Sequence, residues 1–376
     1  MNHPKQLPIL KQLGLRSTWV RALALILVLV PQSQAVSTSQ WQSFNLSTVN
    51  QYIIPGYQAL SQESAQLLQA TQSLCTKPEK PEQALQAARA SFHDTMDAWQ
   101  HIQNIQFGPV QTLMRNYSMQ FWPDKKNHVG KDLAQLLSSN DPHALSDTEF
   151  HKASVSIKGL PAIERLLFEE PETKALQEKP FHCQTLIRIA DYTANSAKAS
   201  AAEWQQMKSE FAETGTEDSY FEDDIDAATT LLKTLVEPIE VIRDLKLLRP
   251  MGSEFGQQKS TRLESWRSER SLRNIRINLE SLFQLYSGTA TSENDQHKGL
   301  SALLDKQTDS AIRQQFSQIQ KQLSEITQPL SQSIETEAGY KALTALADSL
   351  LGLHDLLGNA VAALDIHLGF NSRDGD

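Results

Sequence analysis

The sequence predicts an all-α protein built as two helical bundles packed together. Only 15 glycines and 15 prolines interrupt its 376 residues, while strong helix formers such as Ala, Leu, Gln and Glu are plentiful. Apolar residues recur at helical spacing, and no segment shows the convincing apolar and polar alternation of a half-buried strand. Runs of helices joined by short links are typical of bundles.

The first 35 residues are predicted to be a secretory signal peptide. A basic start is followed by the apolar run 22–30, and the small residues Ser33 and Ala35 suit cleavage after Ala35. This run is shorter than the roughly 20 residues of a spanning helix, with an uncleaved anchor as the alternative. We therefore expect a periplasmic protein of the cell envelope with no transmembrane span after signal cleavage.

The charge balance bears on the class of partner. Acidic residues outnumber basic residues by 44 to 35, which gives a net charge of −9. All charged residues of the leader are basic, so its removal makes the net charge of the chain more negative. A surface of this sign repels nucleic acid, and no nucleic acid is expected as a partner.

The chain contains two cysteines, Cys75 and Cys183. In an oxidising compartment such an even pair is expected to form a disulfide, which would tie the end of the first helix to the start of a later one. Two separate buried thiols are the alternative.

Helical spacing divides the mature chain in order. The predicted N-terminal helices cover 41–74, 82–106, 110–120, 129–137, 180–211 and 225–248. An aromatic turn covers 121–128, and the stretch 156–168 is predicted to be a turn that runs into a helix. The breaker-rich stretch 249–258 predicts a boundary between an N-terminal bundle domain, 36–248, and a C-terminal bundle domain, 249–376. Downstream, helices are predicted over 260–286, 309–328 and 335–365.

The helix over 82–106 carries a ladder of three candidate metal ligands. His93, Asp97 and His101 follow at intervals of four residues, which places them on one helix face, where they can chelate a divalent cation. The alternative is a solvated flank beside the apolar stripe of Phe92, Met96 and Trp99.

Three further stretches offer ligand-binding residues. In the aromatic turn, Trp122 is a candidate for ligand contact and Asp124 for metal ligation, although Trp122 would also suit a core plug. The stretch 262–273 is unusually rich in arginine and contributes Arg262, Glu264, Trp266, Arg267 and Ser268 as candidates. Its arginines are expected to form ion pairs between the two domains, in preference to binding an anionic ligand directly. At the C-terminus, Asn371 and Asp374 are candidates, with a flexible tail as the alternative.

Several of these blocks together resemble the imelysin family of bacterial envelope proteins. The matching blocks are AWQHIQNIQFGP at 98–109, FWPDKKNHVG at 121–130, VSIKGLPAIERLLF at 155–168, RLESWRSERSLRNIRINLESL at 262–282 and LGFNSRDGD at 368–376. The resemblance implies two helical bundle domains, an envelope location, an association with iron acquisition and a disputed metallopeptidase activity.

The family signature Gly-x-His-x-x-Glu departs from its pattern in this chain. The stretch runs from Gly159 to Glu164, and Pro161 stands at the histidine position. Proline has no side-chain donor for a metal, so a mechanism that needs a His/Glu pair from this motif is disabled. The resemblance carries over Gly159 as a binding residue and Glu164 as the surviving metal-binding carboxylate, while a first-turn helix carboxylate is the ordinary alternative.

These observations predict a non-enzymatic protein that binds a metal ion or metal-bearing ligand in a cleft, or docks envelope iron-uptake proteins. Glu164, the Trp122 turn and the stretch around Trp266 are expected to converge on this cleft, with carboxylates dominating its lining. The cofactor is left open, with iron or another divalent metal ion as the candidates. An envelope metallopeptidase and a structural scaffold without a bound ion are the alternatives.

Overall fold

The structure is a computed structural model that describes residues 36–76, 78–288 and 298–369. Within these ranges the regular elements are α-, π- and 3-10 helices, and no strand occurs. The all-α prediction is confirmed. The helices are α1 (Thr38–Thr48), α2 (Ile54–Cys75), α3 (Pro81–Ile102), α4 (Arg115–Met119), α5 (His128–Ser139), α6 (Asp147–Lys152), α7 (Leu160–Phe168), α8 (Glu172–Glu178), α9 (Pro180–Met207), α10 (Asp224–Glu240), α11 (Arg249–Met251), α12 (Ser271–Ser287), α13 (Lys306–Glu325), α14 (Leu330–Ser333) and α15 (Glu337–Ala362).

Helices α2, α3 and α9 form the packed centre of the N-terminal part. The predicted apolar stripe of Phe92, Met96 and Trp99 is buried, with exposed fractions of 2% or less. On α2, Leu60 and Leu67 are buried in the same way. Burial of one apolar face on each helix is the main force that assembles these elements.

Two π-helical segments interrupt otherwise regular helices. Val49–Ile53 separates α1 from α2, and Val241–Leu248 follows α10. Pro238 lies inside α10, where it has no N–H for the helical ladder.

Helices from both sides of the predicted boundary at 248 pack against each other. Contacts join α3 to α12 and α10 to α15, and one hydrophobic cluster includes buried residues of both ranges. The division into domains 36–248 and 249–376 stays a prediction. Within the described ranges, no helix is both long and apolar enough to cross a membrane.

The predicted disulfide is present. Cys75 at the end of α2 is bonded to Cys183 in the first turns of α9, with their Cα atoms 5.5 Å apart. The bridge therefore fixes α9 to the end of α2, as the sequence predicted.

The prediction of one long helix over 260–286 is wrong for residues 260–270. A short 3-10 turn, Ser260–Arg262, is followed by irregular backbone, and α12 begins only at Ser271. Ser265 and Glu269 adopt left-handed φ values of 49° and 56°, which a continuous helix does not allow. The irregular backbone lets Glu264 turn inward, where it is 1% exposed.

Candidate functional site

Residues from three distant stretches line one cavity, which we call the basic pocket. It has a volume of about 650 Å³ and lies between the segment 120–131, helix α7 and the segment 261–267. Six residues singled out from the sequence line it: Trp122, Asp124, Glu164, Arg262, Trp266 and Arg267. These three stretches therefore meet at one place in the fold.

Cationic side chains dominate the lining of the basic pocket. Seven are present, Lys125, Lys126, Lys131, Arg165, Arg249, Arg262 and Arg267, against the three carboxylates of Asp124, Glu164 and Glu169. The lining carries an excess of four positive charges in a chain whose net charge is −9. The expectation that carboxylates dominate the cleft is wrong.

Five of these cations form no ion pair with any residue in the described ranges: Lys125, Lys126, Lys131, Arg249 and Arg262. Burial lowers the pKa of Arg249, and the nearby positive charge of Arg262 lowers it further, while the Asp124 carboxylate acts in the opposite direction. Because cations outnumber carboxylates in the lining, the pocket creates a local attraction for anions. Arginine is well suited to this because its planar guanidinium binds carboxylate and phosphate oxygens in pairs.

Glu164 serves as an anchor for the segment that carries the arginines. It is 5% exposed, and its Oε1 accepts hydrogen bonds from the Ser268 backbone N–H at 3.0 Å and from the Ser268 hydroxyl at 2.6 Å. Burial raises the pKa of Glu164, while the two bonds from Ser268 act in the opposite direction. This contact fixes the 263–270 turn onto α7, and Ser268 itself lies outside the lining of the pocket.

Glu169 orients two of the pocket arginines. Its Oε2 accepts from Arg165 at 2.6 Å and from Arg267 at 2.5 Å. The Arg267 guanidinium lies over the Trp266 ring, 4.2 Å from the ring centroid. The expected ion pairing of this arginine-rich stretch is therefore present for Arg267, and the shared carboxylate holds both guanidinium groups at the pocket wall.

Asp124 caps a helix. Its Oδ1 accepts from the His128 N–H at 2.7 Å, and its Oδ2 accepts from the Val129 N–H at 2.9 Å. Both oxygens thus satisfy free amides in the first turn of α5, which leaves the carboxylate poorly placed to ligate a metal. The same cap fixes the start of α5, which carries Lys131 into the pocket lining.

A buried polar network lies behind the pocket wall. Lys246 and Glu264 form an ion pair at 2.8 Å, with side chains 3% and 2% exposed. Glu264 also accepts from Gln120 at 2.9 Å and from Asn274 at 2.9 Å, and Lys246 also donates to Gln100 at 2.8 Å. Burial lowers the pKa of Lys246, and the charge of Glu264 counteracts this. Glu264 is thus a structural residue here rather than part of the cavity surface.

Sequence reasoning missed Lys246 and its amide partners. The available signal was Lys246 between the apolar residues Leu245 and Leu247, because a charge on a buried helix face needs a partner. Gln100, Gln120 and Asn274 carry no such signal, since amides are common on solvated helix surfaces.

Two residues of the predicted ladder, Asp97 and His93, contact arginine side chains of the segment 262–273. Asp97 forms ion pairs with Arg270 and Arg273, and His93 Nδ1 lies 3.1 Å from the Arg270 guanidinium. Burial, followed by these two positive charges, lowers the pKa of His93 to about 4. These pairs are the ionic contacts between segments that the sequence predicted for the arginine-rich stretch.

The third residue of the ladder has an aromatic neighbour. His101 packs against the Tyr52 ring, with centroids 5.4 Å apart. In the described ranges, no group of three or more His, Cys, Asp or Glu side chains could hold a metal ion. The geometry therefore gives no support to His93, Asp97, His101, Asp124 and Glu164 as metal ligands, because the carboxylates among them are already held by protein donors.

The motif glycine has a structural role. Gly159 has a φ of +72°, and a Cβ at this position would lie 2.0 Å from the Ser118 carbonyl oxygen. Only glycine fits, and it allows α7 to begin directly behind the segment that leads to Trp122. Pro161, in the first turn of α7, lines the basic pocket. Asn371 and Asp374 lie outside the described residues.

A second cavity, which we call the amide pocket, shares a wall with the first. Its volume is about 530 Å³, and Gln120 and Trp122 line both cavities. Eight amide side chains line it: Gln100, Gln103, Asn104, Gln106, Gln111, Asn116, Gln120 and Asn278. The sequence did not indicate this cavity.

Comparison with known proteins places the chain among its relatives. The model of the imelysin family matches residues 53–357. The chain belongs to the imelysin family. Iron-regulated protein A of Synechococcus elongatus is 25% identical over 350 residues, which cover 89% of this chain and 88% of that protein.

Two crystal structures of imelysin-like fold are similar to this structure. An imelysin-like protein from Psychrobacter arcticum matches with a TM-score of 0.70 and 18% identity, covering 89% of this chain and 98% of that one. A candidate iron-regulated protein A precursor from Parabacteroides distasonis matches with a TM-score of 0.63 and 18% identity, covering 88% and 97%. At this identity the likeness establishes the fold alone.

Proposed function

We propose that this imelysin-family protein is an exported, non-enzymatic binding protein whose basic pocket holds an anionic iron complex for uptake. The ligand class is a ferric chelate that presents carboxylate or phosphate oxygens to the protein. One observation carries the proposal: five cationic side chains line the pocket without forming ion pairs inside the described ranges.

An iron complex suits the pocket better than a bare ferric ion. Hard cations prefer carboxylate oxygens, yet Glu164 is occupied by Ser268, Glu169 by two arginines and Asp124 by the α5 amides. The charges of the pocket that are not paired within the protein are positive. A chelator that wraps the metal and keeps a negative charge would meet Arg249, Arg262 and the three lysines.

The exported location and the link to iron rest on separate support. The leader over 1–35 has the layout of a secretory signal. Relatives in Synechococcus elongatus and Parabacteroides distasonis carry names that refer to iron regulation, and the second is described as a precursor. We extend the iron link to this chain as part of the proposal.

A binding role is favoured over peptidase chemistry by the altered motif. Pro161 supplies no side-chain ligand, and Glu164 is fixed as an acceptor for Ser268. A metal-activated water needs three protein ligands and a general base close to it. The motif here retains only its carboxylate, in a structural contact.

Calorimetric titration with citrate and with ferric citrate tests the proposal. Both probes are expected to bind the mature protein saturably. Binding should weaken about tenfold in Arg262→Gln, because one guanidinium-to-anion contact contributes roughly 1.5–3 kcal/mol. Arg313→Gln is the matched control, since it removes the same charge from an arginine that pairs with Asp309 and lines neither pocket.

The outcomes separate the candidate functions. Binding of ferric citrate that Arg262→Gln weakens and Arg313→Gln leaves unchanged supports the proposal. Equal affinity in both variants, or no saturable binding, contradicts it. Hydrolysis of an unstructured substrate that a chelator abolishes would identify a peptidase and refute the non-enzymatic role.

A further inference from the structure

We propose that the anionic ligand of the basic pocket carries an aromatic ring beside its carboxylate, as an aryl-carboxylate iron chelator does. This inference rests on the proposed function and narrows its ligand class. The observation that carries it is the state of Trp122, a large aromatic side chain that lines the basic pocket without being packed into the core of the described ranges.

Three aromatic side chains line the basic pocket, and all three are half-buried: Phe121, Trp122 and Trp266. Phe121 and Trp266 also pack against the hydrophobic core, and the Arg267 guanidinium lies over the Trp266 ring. Within the described ranges, the Trp122 side chain neither joins this core, nor stacks on another aromatic ring, nor forms a hydrogen bond. Trp122 is therefore not the core plug that its sequence context also allowed.

A cation approaches the Trp122 ring from the other cavity. The Lys246 ammonium lies 6.0 Å from the ring centroid, and Lys246 lines the amide pocket but not the basic pocket. This ammonium is held by Glu264, Gln100 and Asn278. The part of the indole that lines the basic pocket therefore remains available to a ligand.

The protein fixes the turn that carries Trp122 without a ligand. The Gln120 amide donates to Glu264 at 2.9 Å and accepts from the Trp99 indole N–H at 2.6 Å. Gln120 belongs to the same wall segment as Trp122, and Glu264 belongs to the same turn as Trp266, so this bond joins the two segments that carry the indoles. A ring that is already held in place loses little conformational entropy when a ligand binds.

Two kinds of group are thus unmatched in one pocket. In the described ranges, five cations lack an ion-pair partner and the indole of Trp122 lacks a packing partner. An aromatic ring gains from stacking on an indole in addition to its burial, and a carboxylate attached to it gains from a guanidinium. A catechol-type dihydroxybenzoate offers both, because its two adjacent hydroxyl groups bind ferric iron and leave the carboxylate free. An aliphatic anion such as citrate uses the cations alone.

Calorimetric titration of the mature protein with a matched pair of monocarboxylates tests the inference. Benzoate and cyclohexanecarboxylate carry the same charge and are similar in size, but only benzoate is aromatic. Benzoate is expected to bind about fivefold more tightly, which is the affinity ratio that corresponds to about 1 kcal/mol of ring stacking. Catechol-type dihydroxybenzoate and its ferric complex should bind at least as tightly as benzoate.

Variants of Trp122 assign the preference to this ring. Trp122→Leu should reduce the affinity ratio to about one, because leucine keeps an apolar side chain and removes the ring. Trp122→Phe should restore most of the ratio. Tyr220→Leu is the matched control and should leave the ratio unchanged, because Tyr220 is 57% exposed and lines neither cavity. A general loss of affinity in a variant would affect both probes and would not change their ratio.

The outcomes distinguish this inference from the proposed function. Saturable citrate binding with equal affinities for benzoate and cyclohexanecarboxylate overturns the aromatic ligand and leaves the anion site standing. A preference for benzoate that persists in Trp122→Leu also overturns the inference, since another group would then recognise the ring. If neither citrate nor any of the aromatic acids binds, both proposals are overturned.

Discussion

The basic pocket and the amide pocket share Gln120 and Trp122 but differ in how their polar groups are satisfied. In the basic pocket, carboxylates are engaged by protein donors and five cations have no ionic partner in the described ranges. In the amide pocket, amides dominate the lining, and most of them are hydrogen-bonded to protein partners. The unmatched groups of a cavity therefore indicate its ligand better than the total count of charged residues does.

The wall between the pockets depends on one buried ion pair. Lys246→Met should lower the free energy of unfolding by about 3–5 kcal/mol, because Glu264 would stay buried without its cation. Urea denaturation followed by circular dichroism measures this. Adding Glu264→Leu should recover much of the loss, since an apolar pair leaves no unpaired charge. Lys152→Met breaks an exposed pair with Glu149 and should leave the free energy of unfolding nearly unchanged. Similar losses in both lysine variants would contradict this account.

The basic pocket depends on the ion pairs that Asp97 of α3 forms with Arg270 and Arg273. Asp97→Asn should lower the free energy of unfolding by about 2–3 kcal/mol, because Arg270 is 2% exposed and would lose its carboxylate. Citrate affinity should fall, since this pair holds the turn that carries Arg267. Asp94→Asn, an exposed change on the same helix, is the control. An unchanged citrate affinity in Asp97→Asn, or an equal loss in Asp94→Asn, would contradict this account.

The same contacts predict a pH dependence. His93 has a pKa of about 4 in the folded protein against 6.5 for an ordinary histidine, so the unfolded chain takes up its proton first as the pH falls. The free energy of unfolding should therefore decrease between pH 6.5 and about 4, by about 1–2 kcal/mol after allowance for solvent screening of this half-buried group. Urea titrations across this range with His93→Gln should show a shallower decrease, and an identical slope in the variant would refute the assignment.

The smallest expected effect distinguishes an anion site from a metal site. Glu164→Gln keeps an acceptor for Ser268 and removes a negative charge from the basic pocket. Citrate affinity should stay constant or rise by up to about threefold, as expected for one screened charge. Calorimetry measures this, and a loss of ferric citrate binding would instead indicate that Glu164 ligates the metal.

Much of the fold could be predicted from the sequence, because the spacing of apolar residues identifies amphipathic helices. The Phe92, Met96 and Trp99 stripe and the Cys75–Cys183 disulfide are examples. The turn at 263–270 could not be predicted, since the contacts that hold it, such as those of Ser268 to Glu164, join residues far apart in the sequence. Its basic composition had the pattern of an amphipathic helix.

Part of the candidate site could be predicted from the sequence. Trp122, Glu164 and Trp266 were found because charged and aromatic clusters are conspicuous in the sequence. The roles of the carboxylates could not be predicted, because each carboxylate is engaged by donors such as Ser268 and Arg270, which only the fold brings near. The amide pocket gave no sequence signal, since glutamine and asparagine on helices are ordinary surface residues.

Calorimetric titration of citrate at low and at high sodium chloride tests the central claim most directly, because the basic pocket is defined by cations that the protein leaves without ionic partners. We predict saturable binding at low salt that weakens as salt rises and weakens about tenfold further in Arg262→Gln. Binding that ignores both salt and this substitution, or no binding at low salt, would contradict the claim.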